Sequence, residues 1–137
     1  MKVFFDTSAF IKRYIEEPES QKVNQICRLA DFLVLSIICL PEMISTLNRL
    51  VRERKITAVK YQELKKLIMG DLDDIEICNL SPDNIAHSLK CLEKSPLRAM
   101  DAIHLSCAIV TQPDLFVSSD LKQIEAAKRE GLKVQVV

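Results

Sequence analysis

The chain has 137 residues, 48% hydrophobic and 28% charged, and its 19 Lys and Arg balance 19 Asp and Glu. This length fits one domain over residues 1–137 that can bury an ordinary core, and the zero formal charge excludes a global basic field for gripping nucleic acid. With only two glycines, Gly70 and Gly131, the chain has neither a P-loop nor a G-x-G-x-x-G phosphate cradle.

The chain opens with "MKVFFDTSAF", in which Val3, Phe4 and Phe5 read as a short strand apolar on both faces, as a central parallel strand requires. Asp6 follows directly. Taken alone, Asp6, Thr7 or Ser8 is a cap for the next helix, "SAFIKRYI". "PESQKVNQICRLA" then starts a second helix with Pro18 near its first turn, and "FLVLS" reads as strand two. From Pro41, "PEMISTLNRLVRER" places Met43, Leu47, Leu50 and Val51 on one face, and a Thr57 cap begins the helix "AVKYQELKKLIMGDL".

"IEICNL" is strand three, and "SPDNIAHSLKCLEK" opens with the strong start signal Ser81, Pro82, Asp83 and places Ile85, Leu89 and Leu92 inward. "PLRAMDAIHLSCAIV" is helical and almost wholly apolar apart from Arg98, Asp101, His104 and Ser106, so it should lie deep against the sheet. "LFVSS" is strand four and again precedes an acid, Asp120. A last helix, stopped by Gly131, leads into a short final strand. Strands alternating with helices predict a three-layer α/β/α sandwich around a mainly parallel sheet.

Two strand-end acids, Asp6 and Asp120, fall at the sheet edge where open α/β sheets bind ligands. Glu42, just behind Pro41, brings a third carboxylate to that edge; a complement to the helix dipole is its alternative reading. Asp101 stands in an apolar helix, where a buried acid needs a partner or a cation. Pairing with Arg98, three residues earlier, is the structural alternative. Crowded carboxylates raise one another's pKa unless a cation neutralises them, and oxygen-only ligands suit Mg²⁺ or Mn²⁺. The implied chemistry is phosphodiester hydrolysis.

The blocks "FFDTSAF", "LPEMISTLNR", "RAMDAIHLSCA" and "FVSSDLKQIEAAKREGL" together resemble the signature blocks of PIN-domain ribonucleases, especially the single-domain VapC-type toxins of toxin–antitoxin pairs. The likeness runs in order over nearly the whole chain; "CLPE" before the second helix block is its one unusual feature. It implies a PIN-like fold, an Mg²⁺- or Mn²⁺-dependent endoribonuclease acting on RNA, a homodimer and a neutralising antitoxin. By motif it makes Asp6, Glu42, Asp101 and Asp120 the catalytic and metal-binding acids, with Ser8 and Ser118 supporting them. Asp6 would then end its strand to hold a metal, with capping by Thr7 or Ser8 keeping it in place.

His104 shares a helix face with Asp101, which suits a proton shuttle, but a buried histidine hydrogen-bonded for packing is the preferred reading. His87 and Cys91 are read as ordinary helix residues, since no further ligands are visible. In "NRLVRERK", Arg49 is the candidate RNA contact, against plain solvated helix charge. Five cysteines (Cys27, Cys39, Cys78, Cys91, Cys107) without a C-x-x-C pair argue against a disulfide framework and a zinc site. No apolar run approaches the roughly 20 residues of a bilayer span and no signal-peptide pattern is visible, so a cytoplasmic location without membrane partners is expected. The alternative function is a catalytically silent PIN-like module that binds RNA or protein. A haloacid-dehalogenase-type phosphatase would need an Asp where Ser8 stands, and a phosphorelay receiver an acidic pair and a late-strand Lys that are missing.

Overall fold

A computed structural model describes residues 1–137. Its centre is a five-stranded sheet, all neighbours parallel, in the order β3-β2-β1-β4-β5. The strands are β1 (Lys2–Phe5), β2 (Phe32–Ser36), β3 (Glu76–Cys78), β4 (Leu115–Ser118) and β5 (Val134–Val136). The alternation of β1 side chains decides the two layers. Val3 and Phe5 enter a core completed by Val23, Leu35, Met43, Leu47, Leu64 and Ile68, while Phe4 faces Ala102, Leu105, Ala108, Phe116, Ile124 and Ala127. In that second core Phe4 and Phe116, register partners across β1 and β4, stack with ring centroids 5.7 Å apart.

The first layer holds α1 (Thr7–Phe10), continued by a 3₁₀ turn over Ile11–Arg13, then α2 (Ser20–Leu29), α3 (Cys39–Arg52) and α4 (Ala58–Asp71). The second holds α5 (Pro82–Lys94), α6 (Ala99–Thr111) and α7 (Leu121–Arg129). Right-handed crossovers require this division, because the chain moves from β1 out through β2 to β3 and then returns past β1 to β4 and β5. The sequence signals for the ends hold. Thr57 Oγ1 accepts from Lys60 N at 3.0 Å, Ser81 Oγ from Asn84 N at 3.2 Å, and Gly131 sits just past α7 with φ +80°, where L side chains are strained. The α2 helix starts at Ser20 rather than at Pro18, which stands in the turn before it.

One expectation fails at α5. Ile85, Leu89 and Leu92 face outward, 42%, 54% and 37% exposed, and the small residues Asn84, Ser88 and Cys91 face inward instead. Apolar spacing alone favoured the larger stripe. Close packing of α5 on α6 favours the small one, and Asn84 satisfies its amide there: Nδ2 donates to Cys78 Sγ (3.6 Å) and Cys107 Sγ (3.8 Å), while Oδ1 accepts from Ser81 Oγ (2.6 Å).

The α6 helix lies deep, as expected, with Ala102, His104, Leu105, Ser106, Cys107 and Ala108 buried. No helix is long and apolar enough to cross a membrane. All five cysteines are free thiols, and only Cys27 is not fully buried. Burial pushes Cys39 and Cys107 up to about 12 and Cys91 to about 11, so these thiols stay protonated and inert. Cys27 is the one thiol with partial exposure, so a disulfide-exchange reagent at pH 8 should modify it ahead of the other four in the folded protein and reach all five in guanidinium, as counted by mass spectrometry.

Candidate functional site

Strand order 3-2-1-4-5 puts the topological switch between β1 and β4, since chain leaving β1 and chain leaving β4 turn to opposite faces. The crevice at their carboxyl ends is a cleft of about 340 Å³. Its lining contains Asp6, Glu42, Asp101 and Asp120, with Thr7, Ser8, Ile11, Ser45, Thr46 and His104, and no Lys or Arg. Four acids from four separate stretches of the sequence therefore share one opening. His87 and Cys91 contribute nothing to it, and Arg49 lies outside its lining, exposed and 3.4 Å from Glu53.

Each acid is fixed differently. Asp6, 4% exposed, is itself the N-cap of α1: Oδ1 accepts from Ala9 N (3.1 Å) and Ser8 Oγ (2.7 Å), and Oδ2 from Ser118 Oγ (2.6 Å). Of the three capping candidates the structure selects Asp6, which corrects the expectation that capping by Thr7 or Ser8 keeps the acid in place. Ser118, fully buried at the end of β4, also accepts from Asp120 N at 3.0 Å, so one hydroxyl ties the acid after β1 to the loop after β4. Ser8 Oγ accepts from Ser119 N at 3.1 Å and strengthens the same junction. Ser8 and Ser118 thus touch Asp6 directly.

Asp120 caps α7, its Oδ1 accepting from Lys122 N at 2.8 Å, which leaves Oδ2 without a protein partner. Asp101 occupies the first turn of α6, and its backbone carbonyl accepts from the buried Gln123 Nε2 at 2.8 Å, which holds α6 against α7. No side chain donates to the Asp101 carboxylate. Arg98 is exposed at the N-cap of α6 and forms no salt bridge with Asp101, so the pairing explanation for this acid fails. Glu42, in the first turn of α3, accepts through Oε1 from Thr7 Oγ1 (2.6 Å) and is in direct contact with His104 Nε2.

The electrostatics set Asp6 and Asp101 apart from Glu42. Burial pushes the Asp6 carboxyl above its ordinary value, against the lowering effect of the Ser118 and Ser8 hydrogen bonds. Asp101 is raised as well, by burial first and by the charge of Asp120 second. Glu42 goes the other way: burial works to raise it, but the hydrogen bonds from His104 and Thr7 together outweigh burial and leave it low. Asp6 and Asp101 thus carry charge that their surroundings disfavour, in a cleft lined by no Lys or Arg.

The four carboxylates are hard oxygen donors, no thiolate lines the cleft, and the one imidazole nitrogen facing it, His104 Nε2, is engaged by Glu42; this chemistry fits a hard divalent cation. No three of the His, Cys, Asp and Glu side chains stand close enough to hold one ion by themselves.

The family model for the PIN domain matches residues 3–129. The chain belongs to the PIN domain family. No curated protein matches the sequence. Among solved structures, this PIN domain is similar to VapBC2 from Rickettsia felis bound to a promoter DNA fragment, with 18% identity over 100% of this chain and 99% of that one and a TM-score of 0.71. It is also similar to VapC20 of Mycobacterium tuberculosis, a sarcin-ricin loop cleaving toxin (12% identity, 90% and 94% coverage, TM-score 0.70), and to VapBC-1 from nontypeable Haemophilus influenzae (17% identity, 99% and 98% coverage, TM-score 0.68). At these identities the likeness establishes a common fold.

Sequence reasoning missed three contributors. Ser45 and Thr46 lie three and four residues after Glu42, on the same helical face, and that spacing was the available signal. Thr7 was seen only as a cap, whereas its hydroxyl crosses to α3.

A carboxyl raised by folding binds its proton more tightly in the folded state, so stability falls as pH rises through the raised value. Asp101→Asn removes that penalty. In EDTA at pH 7 the variant should melt a few degrees above the parent, the difference closing below about pH 4 where the parent carboxyl is also uncharged. Calorimetric melting curves across pH check this.

Proposed function

We propose that this PIN domain is an Mg²⁺- or Mn²⁺-dependent endoribonuclease, the toxin of a toxin–antitoxin pair, acting as a homodimer and silenced by a cognate antitoxin. The observation that carries the reading is the convergence of Asp6, Glu42, Asp101 and Asp120 on one cleft with no Lys or Arg in its lining. Stability alone gives no reason for such a cluster, because each added carboxylate raises the cost of ionising the others. The likeness to VapC structures supports the toxin assignment and the antitoxin. An antitoxin fit for this cleft places a cationic side chain among the four acids.

A divalent cation, when bound, supplies positive charge at the scissile phosphate and a lowered pKa for water. The residues supply the rest. Asp6, held on both oxygens by Ser8 and Ser118, offers an immobile carboxylate at the floor. Asp101 and Asp120 approach from the second helical layer and complete the negative field that draws the cation. Glu42 keeps its charge through Thr7 and His104, and its Oε2 is free to hold the cation, directly or through a water whose hydrogen bond it accepts. Arg49, on the same helix as Glu42, is the proposed contact for an RNA phosphate beyond the cleft.

Purified protein incubated with a pool of structured RNAs should cut with Mg²⁺ or Mn²⁺ and stop cutting in EDTA. Asp6→Asn, Asp101→Asn and Asp120→Asn should each lower the rate by at least about 100-fold, the scale on which removing a preorganised charge-stabilising group acts. RNA binding without cutting would identify the silent interaction module instead.

A further inference from the structure

We infer that His104 is a positioning residue for Glu42, pinning one carboxylate oxygen so that the other faces the cleft; the inference rests on the nuclease reading above. His104 is 2% exposed, and its two ring nitrogens are in opposite circumstances. Nε2 contacts Glu42 Oε1 and lies 3.1 Å from Thr7 Oγ1, whereas Nδ1 is buried with no partner. A histidine that served only packing would satisfy its nitrogens within the core. Here the core-side nitrogen is orphaned, which costs stability, and the satisfied one points at an acid of the cleft. An apolar ring at this position would fill the space without leaving that nitrogen unpaired.

The hydrogen-bond network sets the direction of each contact. Thr7 Oγ1 gives its hydrogen to Glu42 Oε1 and the carboxylate has none to give, which assigns the ring hydrogen to Nε2 and makes Oε1 the acceptor of donors from two different helices. Oε2 receives none. Glu42 therefore stands to His104 and Thr7 as Asp6 stands to Ser118 and Ser8, an acid whose orientation is set by neighbours. The contact also bridges the layers, because Glu42 is on α3 on one face of the sheet and His104 on α6 on the other. His104 lies one turn after Asp101 on α6, so a single helix carries one acid and sets the spacing of another. Partners that orient metal-binding side chains commonly change metal affinity by about 10–100-fold when removed.

The test compares His104→Phe and His104→Gln with the parent protein, reading Mn²⁺ affinity by titration calorimetry, the melting temperature in EDTA, and RNA cleavage. The Gln side-chain amide can place a donor near the position of Nε2; Phe cannot. Expected are an Mn²⁺ affinity about 10–100-fold weaker in His104→Phe, with a melting temperature in EDTA at or above the parent's, and recovery of most of that affinity in His104→Gln. If His104→Phe does not fold, Thr7→Val, which removes the other donor to Oε1, should weaken Mn²⁺ binding in the same direction. Equal Mn²⁺ affinity in parent and His104→Phe, or the same loss in the Gln and Phe variants, overturns the positioning role and leaves the nuclease reading standing. A parent protein that binds no Mn²⁺ overturns both.

Discussion

Holding four like charges around one half-buried opening is the constraint on which the rest of this structure depends. The fold meets it by using the place where a parallel sheet changes direction. Between β1 and β4 the chain departs to opposite faces, so acids arriving from both layers reach the same gap without crossing the sheet. Three of them are tied to the scaffold through identified oxygens: Asp6 through Ser8, Ser118 and the start of α1, Asp120 through the start of α7, and Glu42 through Thr7 and His104. Asp120 is held by backbone N–H groups alone, and no side chain donates to Asp101. The Asp101 carboxyl is pushed up by burial and by its neighbour Asp120, so it gains from an arriving cation.

The helix N-termini make this arrangement affordable. Right-handed β-α-β crossovers bring helix starts to the carboxyl edge of the sheet, where free backbone N–H groups and the positive ends of the helix dipoles favour negative charge. Asp6 and Asp120 cap their helices outright, and Glu42 and Asp101 stand in first turns. The capping and chemical readings of Asp6 are therefore compatible: the bond to Ala9 N is part of what fixes the carboxylate.

Much of the fold was legible because its signals are local. A strand with apolar residues on both faces, a Ser or Thr before a helix, and a Gly after one depend on neighbours within a few residues. The misjudged α5 face shows where this stops. Ile85, Leu89 and Leu92 have the spacing of a buried stripe, yet the inward face is decided by how closely α6 approaches, and only Asn84, Ser88 and Cys91 are small enough to permit that approach.

For the site, the sequence by itself determined which acids were available, since Asp6, Glu42, Asp101 and Asp120 each stand at a strand end, a helix start or in an apolar helix, positions where a carboxylate needs a reason. What only the tertiary structure decided is how each is held. The serine of β4 that bonds the acid of β1 is 112 residues away from it, and the histidine of α6 that meets the glutamate of α3 is 62 away. Separations of that size carry no periodic signal in one sequence. Those contacts exist because the strand order sets β4 beside β1 and the crossover rule brings α3 and α6 to the same edge from opposite faces.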